Sequence, residues 1–406
     1  MQPRSETTFE KTFEDRPEEI LAPSGDSFGL AQLIAPFTVE EFLSIYWEKQ
    51  ICHIHGRTPA YYASLFSLRD VDAALLPVRS KTDTGVPLVS AIDKKRPPED
   101  LGSLYQNFAS GSTINVNFID RQFPDVNFLC RRLEQEFHFP SAANLYLTPP
   151  HSQGFRAHYD SHEVFVLQIS GRKKWDLWPQ KDLLPLRDSK EDVAQEELGE
   201  ARSIVLEPGD LLYLPRGVIH QAYAEDQVTL HITVSVEPFR WFEVVMAALK
   251  AAAGRTPALR ESLPPGFMNI PDIIHPAREQ LRTMLSLIRE DDLVTGLTET
   301  AKAFTSQLTP VLDNRFETLG SLNSLSGQSL LSRRIGSVAF LETRGNSIYL
   351  HFGGNTVSAP ARIRPSLEFI LARDRFSVET IPGLDAASRL VLVRRLVRAG
   401  FLTVSS

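Results

Sequence analysis

Residues 157–170 read A-H-Y-D-S-H-E-V-F-V-L-Q-I-S, a polar stretch that passes without a break into an apolar, β-branched one. The second half has the texture of a buried strand, and the first sets His158 and Asp160 one residue apart at its threshold. Pieces of the same texture recur between turn signals from about residue 86 to 240: T-I-N-V-N-F-I, N-L-Y-L-T, K-K-W-D-L-W, S-I-V-L-E, D-L-L-Y-L and V-T-L-H-I-T-V-S-V. This rhythm of short strands predicts an antiparallel sandwich or barrel. A helix is expected to interrupt it from Phe128 to Phe137. The charged excursion over residues 180–200 reads as a surface insertion between strands.

The flanks have a different grain. Residues 1–26 are rich in Glu, Lys, Thr and Pro without periodicity and predict a loose tail. Thr38 followed by Glu40 and Glu41 is a helix start, with the helix expected to run to Lys49. I-C-H-I-H-G alternates like a strand, and residues 61–76, Y-Y-A-S-L-F-S-L-R-D-V-D-A-A-L-L, read as helical. Beyond Pro238 helices return. Leu281, Met284, Leu285 and Ile288 fall at i, i+3, i+4 and i+7, one apolar face suited to a partner subunit or to packing within the chain. From residue 311, S-V-A-F-L-E and S-I-Y-L-H-F are strand-like. A last helix is capped by Asp385, carries Leu390, Val393 and Val397, and stops at Gly400. The expected class is α+β, with a tail over 1–26, a β-rich domain over 27–239, a helical region over 240–310 and a C-terminal domain over 311–406.

Composition bounds the function. The 406 residues are 42% hydrophobic and 23% charged, the balance of a folded globular chain long enough for two or three cores. No stretch reaches the roughly 18 apolar residues that span a membrane. The first ten residues lack the apolar core of a signal peptide, so a cytoplasmic location is expected. Cys52 and Cys130 stand far apart, which argues against a disulfide framework and a thiolate zinc site. A net charge of −7 argues against a non-specific grip on nucleic acid, because such binding is mostly phosphate neutralisation.

On a strand or its edge, residues i and i+2 project to the same face, so His158 and Asp160 converge. The candidate third partner is His220, in E-P-G-D-L-L-Y-L-P-R-G-V-I-H-Q-A. There P-G-D turns, L-L-Y-L is a buried strand, P-R-G breaks it and His220 opens the next. Two histidines and one carboxylate, leaving three positions open, form the facial triad of non-haem Fe(II) oxygenases. Taken singly, each histidine could be an ordinary hydrogen-bonded residue; order and β context make the set. His162 lies at i+4 from His158, a helical spacing that the following strand forbids, so it reads as a neighbour and not a ligand. Oxygenases of this class draw two further electrons from 2-oxoglutarate, whose distal carboxylate needs a cation. S-G-R-K-K-W offers Arg172, Lys173 and Lys174 after a turn at Gly171. Alternation puts Lys173 and Trp175 on one face and Arg172 and Lys174 on the other. A solvated basic turn is the alternative, and Lys173 is the inward residue if the strand runs without a bulge.

The run N-L-Y-L-T-P-P-H-S-Q-G-F-R-A-H-Y-D-S-H-E-V-F-V-L-Q-I-S-G-R-K-K-W, with P-G-D-L-L-Y-L-P-R-G-V-I-H-Q-A and L-H-I-T-V-S-V, resembles the JmjC-type cupin family of 2-oxoglutarate oxygenases, in particular its ribosomal oxygenase-like protein hydroxylases. Y-W-E-K-Q-I-C-H-I-H-G resembles that family's N-terminal element, and the C-terminal third its helical dimerisation region and winged-helix domain. The resemblance implies a double-stranded β-helix (cupin or jelly-roll) catalytic domain over 27–239. It implies Fe(II) held by His158, Asp160 and His220, 2-oxoglutarate paired through its distal carboxylate with Lys173, and O2 as oxidant. By the same resemblance Asn144 and Tyr146 line the cofactor and substrate cavity, and His231 and Thr233 border it from the closing strand.

The implied activity is hydroxylation of an arginine- or histidine-type side chain of a protein, a ribosomal protein being one candidate, by a homodimer. The first alternative is the same chemistry on a small peptide or biosynthetic intermediate, with lysine demethylation as a variant. The second is a non-catalytic cupin that binds or regulates; an intact H-x-D…H set with Lys173 argues against it. Arg362, Arg364, Arg373, Arg375, Arg389, Arg394, Arg395 and Arg398 are interspersed with acids and face several ways. An interaction role is expected of that domain in place of nucleic-acid binding.

Overall fold

The computed structural model describes residues 28–75, 89–91, 100–180, 182–187, 198–269, 274–308, 315–334 and 336–404, together with Pro23 and Val193. Nearly all of the expected tail and about half of the charged excursion at 180–200 lie outside the described residues. No helix among the described residues is long and apolar enough to cross a membrane. The chain divides into two compact units, one running to Pro238 and one starting at Phe239 that holds both the following helices and the C-terminal sheets.

In the first unit, helices α1 (Leu30–Ile34), α2 (Val39–Ile45), α3 (Val71–Leu75), α4 (Leu101–Ala109) and α5 (Pro124–Phe137) flank the strands. These are β1 (Cys52–Ile54), β2 (Val89–Ala91), β3 (Ile114–Val116), β4 (Ser141–Thr148), β5 (Glu163–Ser170), β6 (Lys173–Trp178), β7 (Arg202–Leu206), β8 (Leu211–Leu214), β9 (Ile219–Ala224) and β10 (Thr229–Val236). One sheet has the order β1-β8-β5-β10-β4-β3-β2 and the other β7-β6-β9. From β5 to β10 the chain crosses from sheet to sheet, the winding of a double-stranded β-helix.

Strand alternation sorts the side chains into two environments. Leu145, Leu147, Phe165, Leu167, Ile232 and Val234 take the outer face of the large sheet and join the main core with residues of α1, α2 and α5. There the Phe42 ring centroid lies 5.7 Å from that of Phe165 and 4.9 Å from that of Tyr213. Each apolar side chain so buried contributes about 1.5–3 kcal/mol. A buried polar cluster pins α5 to β4: Arg131 meets Glu134 at 3.0 Å and donates to Ser141 O at 3.0 Å, while Asp120 accepts from Ala143 N–H at 3.1 Å.

Two local expectations are corrected. α2 begins as expected, with Glu41 N–H donating to Thr38 Oγ1 at 3.2 Å, yet it ends at Ile45 and not at Lys49. Glu48 takes a left-handed conformation (φ 59°) and donates its N–H to the Tyr213 hydroxyl at 2.9 Å, which a continuing helix would forbid. The helix expected over residues 61–76 is not one helix where it is described, to Leu75: turns lead into a 3-10 turn at Leu68–Asp70 and the short α3. Tertiary contacts override helix propensity here. Tyr61 and Tyr62 are drawn into the core around Arg57, whose guanidinium donates to the Tyr62 hydroxyl at 2.8 Å and lies 4.4 Å over the Tyr61 ring.

The second unit contains α6 (Trp241–Arg255), α7 (Ile274–Leu285), α8 (Glu290–Gln307), α9 (Arg315–Gly320), α10 (Arg364–Leu371) and α11 (Ala386–Ala399). Its strands are β11 (Leu330–Arg333), β12 (Ala339–Arg344), β13 (Ser347–Phe352), β14 (Asn355–Pro360), β15 (Arg375–Ser377) and β16 (Leu402–Val404), paired as β12-β13-β14 and β15-β11-β16. α6 and α8 approach so closely that a Cβ on Gly296 would lie 2.7 Å from Val244 O. Asp385 caps α11 by accepting from Ser388 N–H at 2.7 Å, and Gly400 closes it at φ 87°. α7 stops at Leu285, so Ile288 falls beyond the face expected to carry it.

Candidate active site

The inner faces of the two sheets enclose a cavity of about 360 Å³. Pairing of β4 with β10 sets Asn144 opposite Thr233 and Tyr146 opposite His231. Lys173, Trp175, His220 and Ala222 line it from the small sheet.

His158, Asp160 and His220 meet in this cavity, one ligand atom from each lying within 4.8 Å of the others. Backbone hydrogen bonds join the two histidines in both directions, at 3.1 and 2.8 Å, and hold their ring centroids 4.4 Å apart. Asp160 Oδ2 lies 3.8 Å from His220 Nε2. Each imidazole is oriented by its own chain: His158 Nδ1 is 2.7 Å from Arg156 O, and His220 Nδ1 is 3.0 Å from Val218 O. A carbonyl only accepts, so Nδ1 is the donor nitrogen of each ring and Nε2 is the one left to face a metal. Two imidazole Nε2 atoms and a carboxylate form a donor set that fits a divalent transition metal. Among the described residues this is the one such cluster. His162 also lines the cavity and stands outside the trio.

Lys173 points inward and is 2% exposed. Its ammonium donates to Thr148 Oγ1 at 2.9 Å and lies 3.4 Å from His231 Nδ1. Burial pushes its pKa down from 10.5 to about 7. An anionic group placed beside Nζ would restore the charged form. Its neighbours in sequence face out: Arg172 lies 3.4 Å from Glu207 and Lys174 3.3 Å from Asp176. His231 is held well below the usual histidine value, first by burial and then by Lys173 and His220, so it is neutral. It stacks on Tyr146 with centroids 4.9 Å apart and planes at 5°. Burial raises the Tyr146 pKa, keeping its hydroxyl protonated. Asn144 Oδ1 accepts from Phe118 N–H at 3.0 Å.

Several residues in or beside the cavity went unread in the sequence. Thr148 follows Asn144 and Tyr146 at the same period of two, a signal that would have found it. Asn115 and Asn117 share that period in T-I-N-V-N-F. Gln221, which accepts from Gln153 Nε2 at 3.2 Å, carries no such mark.

Residues 120–244 match the family model of the JmjC domain. The chain is 37% identical over 252 residues to the bifunctional lysine-specific demethylase and histidyl-hydroxylase NO66 of Drosophila persimilis, covering 58% of this chain and 36% of that protein. It is 33% identical over 315 residues to NO66 of Aedes aegypti, covering 71% of this chain and 49% of the relative. The chain thus spans less than half the length of these relatives. Among solved structures, the ribosomal oxygenase YcfD of Escherichia coli superposes with a TM-score of 0.53 at 19% identity, covering 91% of this chain and 98% of its own. YcfD has also been solved with cobalt and 2-oxoglutarate, at a TM-score of 0.51 and 19% identity, covering 91% of this chain and 99% of its own. At that identity the likeness is one of fold.

Proposed function

From a chain that carries a JmjC domain of the cupin 2-oxoglutarate oxygenase family over residues 120–244, we propose an Fe(II)- and 2-oxoglutarate-dependent oxygenase that hydroxylates an amino-acid side chain of a protein. The observation that carries this reading is the convergence of His158, Asp160 and His220 in the cavity that also encloses the ammonium of Lys173. When bound, iron with 2-oxoglutarate and O2 supplies the oxidation, with succinate and CO2 as co-products.

The chain's own residues bind, orient and exclude water. His158, Asp160 and His220 would hold the metal, their imidazoles kept in the competent tautomer by Arg156 O and Val218 O. Lys173 would anchor the distal carboxylate of 2-oxoglutarate, with the Thr148 hydroxyl beside its ammonium. Val164, Val166 and Trp175 keep the wall apolar, which strengthens that pairing. Neutral His231, stacked on Tyr146, borders the same end without competing as a cation. Asn144 and Thr233 supply hydrogen-bonding groups along the cavity.

The names of the relatives, a histidyl-hydroxylase and a ribosomal oxygenase, support an arginine- or histidine-type side chain and a ribosomal protein as substrate. Anaerobic Fe(II) titration, succinate release with 2-oxoglutarate, and mass spectrometry of ribosomal proteins for the gain of one oxygen atom test this. Failure to bind iron, with no succinate across diverse substrates, would remove the enzyme reading. Unmodified ribosomal proteins beside active turnover would move the substrate to a small peptide or biosynthetic intermediate.

The proposal extends to organisation. Residues 240–310 form the dimerisation region of a homodimer, supported by an exposed apolar run at the start of α6. Residues 311–406 form a winged-helix-like interaction module. Several of its arginines are already engaged by acids, as in Arg333–Asp374 at 2.6 Å and Arg364–Glu368 at 2.8 Å, which disfavours a nucleic-acid surface. Two free, buried cysteines suit the reducing cytoplasm.

A further inference from the structure

Two separate segments deliver the proposed metal ligands: residues 157–163, leading into β5, and residues 215–220, the turn from β8 into β9. One buried ion pair runs between them. Arg216, 4% exposed, donates from Nη1 to Glu163 Oε1 at 2.7 Å and to Glu48 Oε1 at 2.6 Å. Glu163 is fully buried, and its second carboxylate oxygen accepts from the Tyr213 hydroxyl. The backbone of the same turn is tied to the site. Gly217 N–H donates to Asp160 O at 2.9 Å, Arg216 O accepts from Gln180 Nε2 at 2.9 Å, and Val218 O orients His220.

Desolvation of a pair this deep offsets most of its Coulomb attraction, so net stability is a poor account of its presence. What it supplies is a fixed span between the two segments. The pair lies within four residues of the ligands on either side, at Glu163 after Asp160 and at Arg216 before His220. Neither side chain lines the cavity.

We propose that Glu163 and Arg216 are positioning residues that set the separation of Asp160 from His220 and thereby the metal affinity of the site. This rests on the metal-site reading above. It goes beyond that reading by assigning part of the affinity to a pair that touches neither metal nor cosubstrate.

Cobalt(II) titration of the full chain, followed by visible absorption and paired with thermal melting, tests it. Glu163→Gln and Arg216→Lys are expected to weaken cobalt binding about 10–100-fold, the usual effect of removing an outer partner. Glu134→Gln is the control, since it removes an equally buried carboxylate from Arg131, remote from the ligands. It is expected to lower the melting temperature and leave cobalt affinity unchanged. Wild-type affinity in folded Glu163→Gln and Arg216→Lys would overturn the proposal, and so would an equal loss in Glu134→Gln. If Glu163→Gln does not fold, Arg216→Lys, which keeps the charge and shortens the fork, decides alone. A wild-type chain that binds no cobalt would instead sink the metal-site reading, so the two failures are distinguishable.

Discussion

Lys173 shows how much chemistry a single buried charge can carry. Its folded pKa of about 7 lies below the ordinary 10.5, so between those values the unfolded chain holds a proton that the folded chain lacks. Stability therefore rises with pH across that window, and below pH 7 the full cost of burying the ammonium is present. Lys173→Met is expected to stabilise the metal-free protein at pH 6 by about 1–4 kcal/mol, read from denaturant melts, while abolishing 2-oxoglutarate binding. A variant that melts with the wild type would show that the ammonium is solvated. The same depression predicts proton uptake. A carboxylate docking on Nζ at pH 8 requires the charged form, so calorimetry of cobalt-loaded protein in buffers of different ionisation enthalpy should show near one proton taken up. The uptake should vanish at pH 6, and equal uptake at both pH values would exclude Lys173 as its source. The inward direction of Lys173 was legible because alternation needs only the strand. Its partner Thr148 stood on the same alternation, two residues after Tyr146, but went unread because a threonine closing a strand looks like an ordinary strand former.

At the scale of elements, the turn from β8 to β9 connects most of the site. Gly217 holds φ 87°, and a Cβ there would meet Asp182 O at 2.3 Å. Gly217→Ala is therefore expected to cost about 1–3 kcal/mol. Because Gly217 N–H also holds Asp160 O, the same change should weaken cobalt binding, measured by titration at a temperature where the variant is folded. Lost stability with intact metal affinity would separate the turn from the site. The strands around this turn were readable from short apolar runs between Pro and Gly. The end of α2 was not, because what stops it is the Tyr213 hydroxyl on Glu48 N–H, from a residue far along the chain. Residues 61–76 misled for the same reason: a helical pattern of apolar residues yielded to the pull of Arg57 on two tyrosines.

Across the whole molecule, the sequence rhythm disclosed a two-sheet β architecture, because each strand must bury one face and is long enough to show it. Which strands become neighbours was hidden. The order β1-β8-β5-β10-β4-β3-β2 is set by crossings between sheets, and local periodicity has no register for them. The helices after Pro238 leave a different trace. On α6, Trp241 is 79% exposed, and Phe242, Val245 and Met246 are about half exposed, an apolar run at i, i+1, i+4 and i+5 along one side of the helix. Apolar patches of this kind on a folded chain mark association surfaces. A stable dimer needs about 800 Å² from each partner, more than one helical turn offers. Leu281 and Leu285 of α7, also exposed, are candidates to extend the patch. Sedimentation equilibrium is expected to give twice the chain mass for the wild type and the single chain mass for Val245→Glu, with cooperative melting retained. A monomeric wild type at concentrations well above the micromolar range would remove the dimer and leave these side chains without the partner assigned to them.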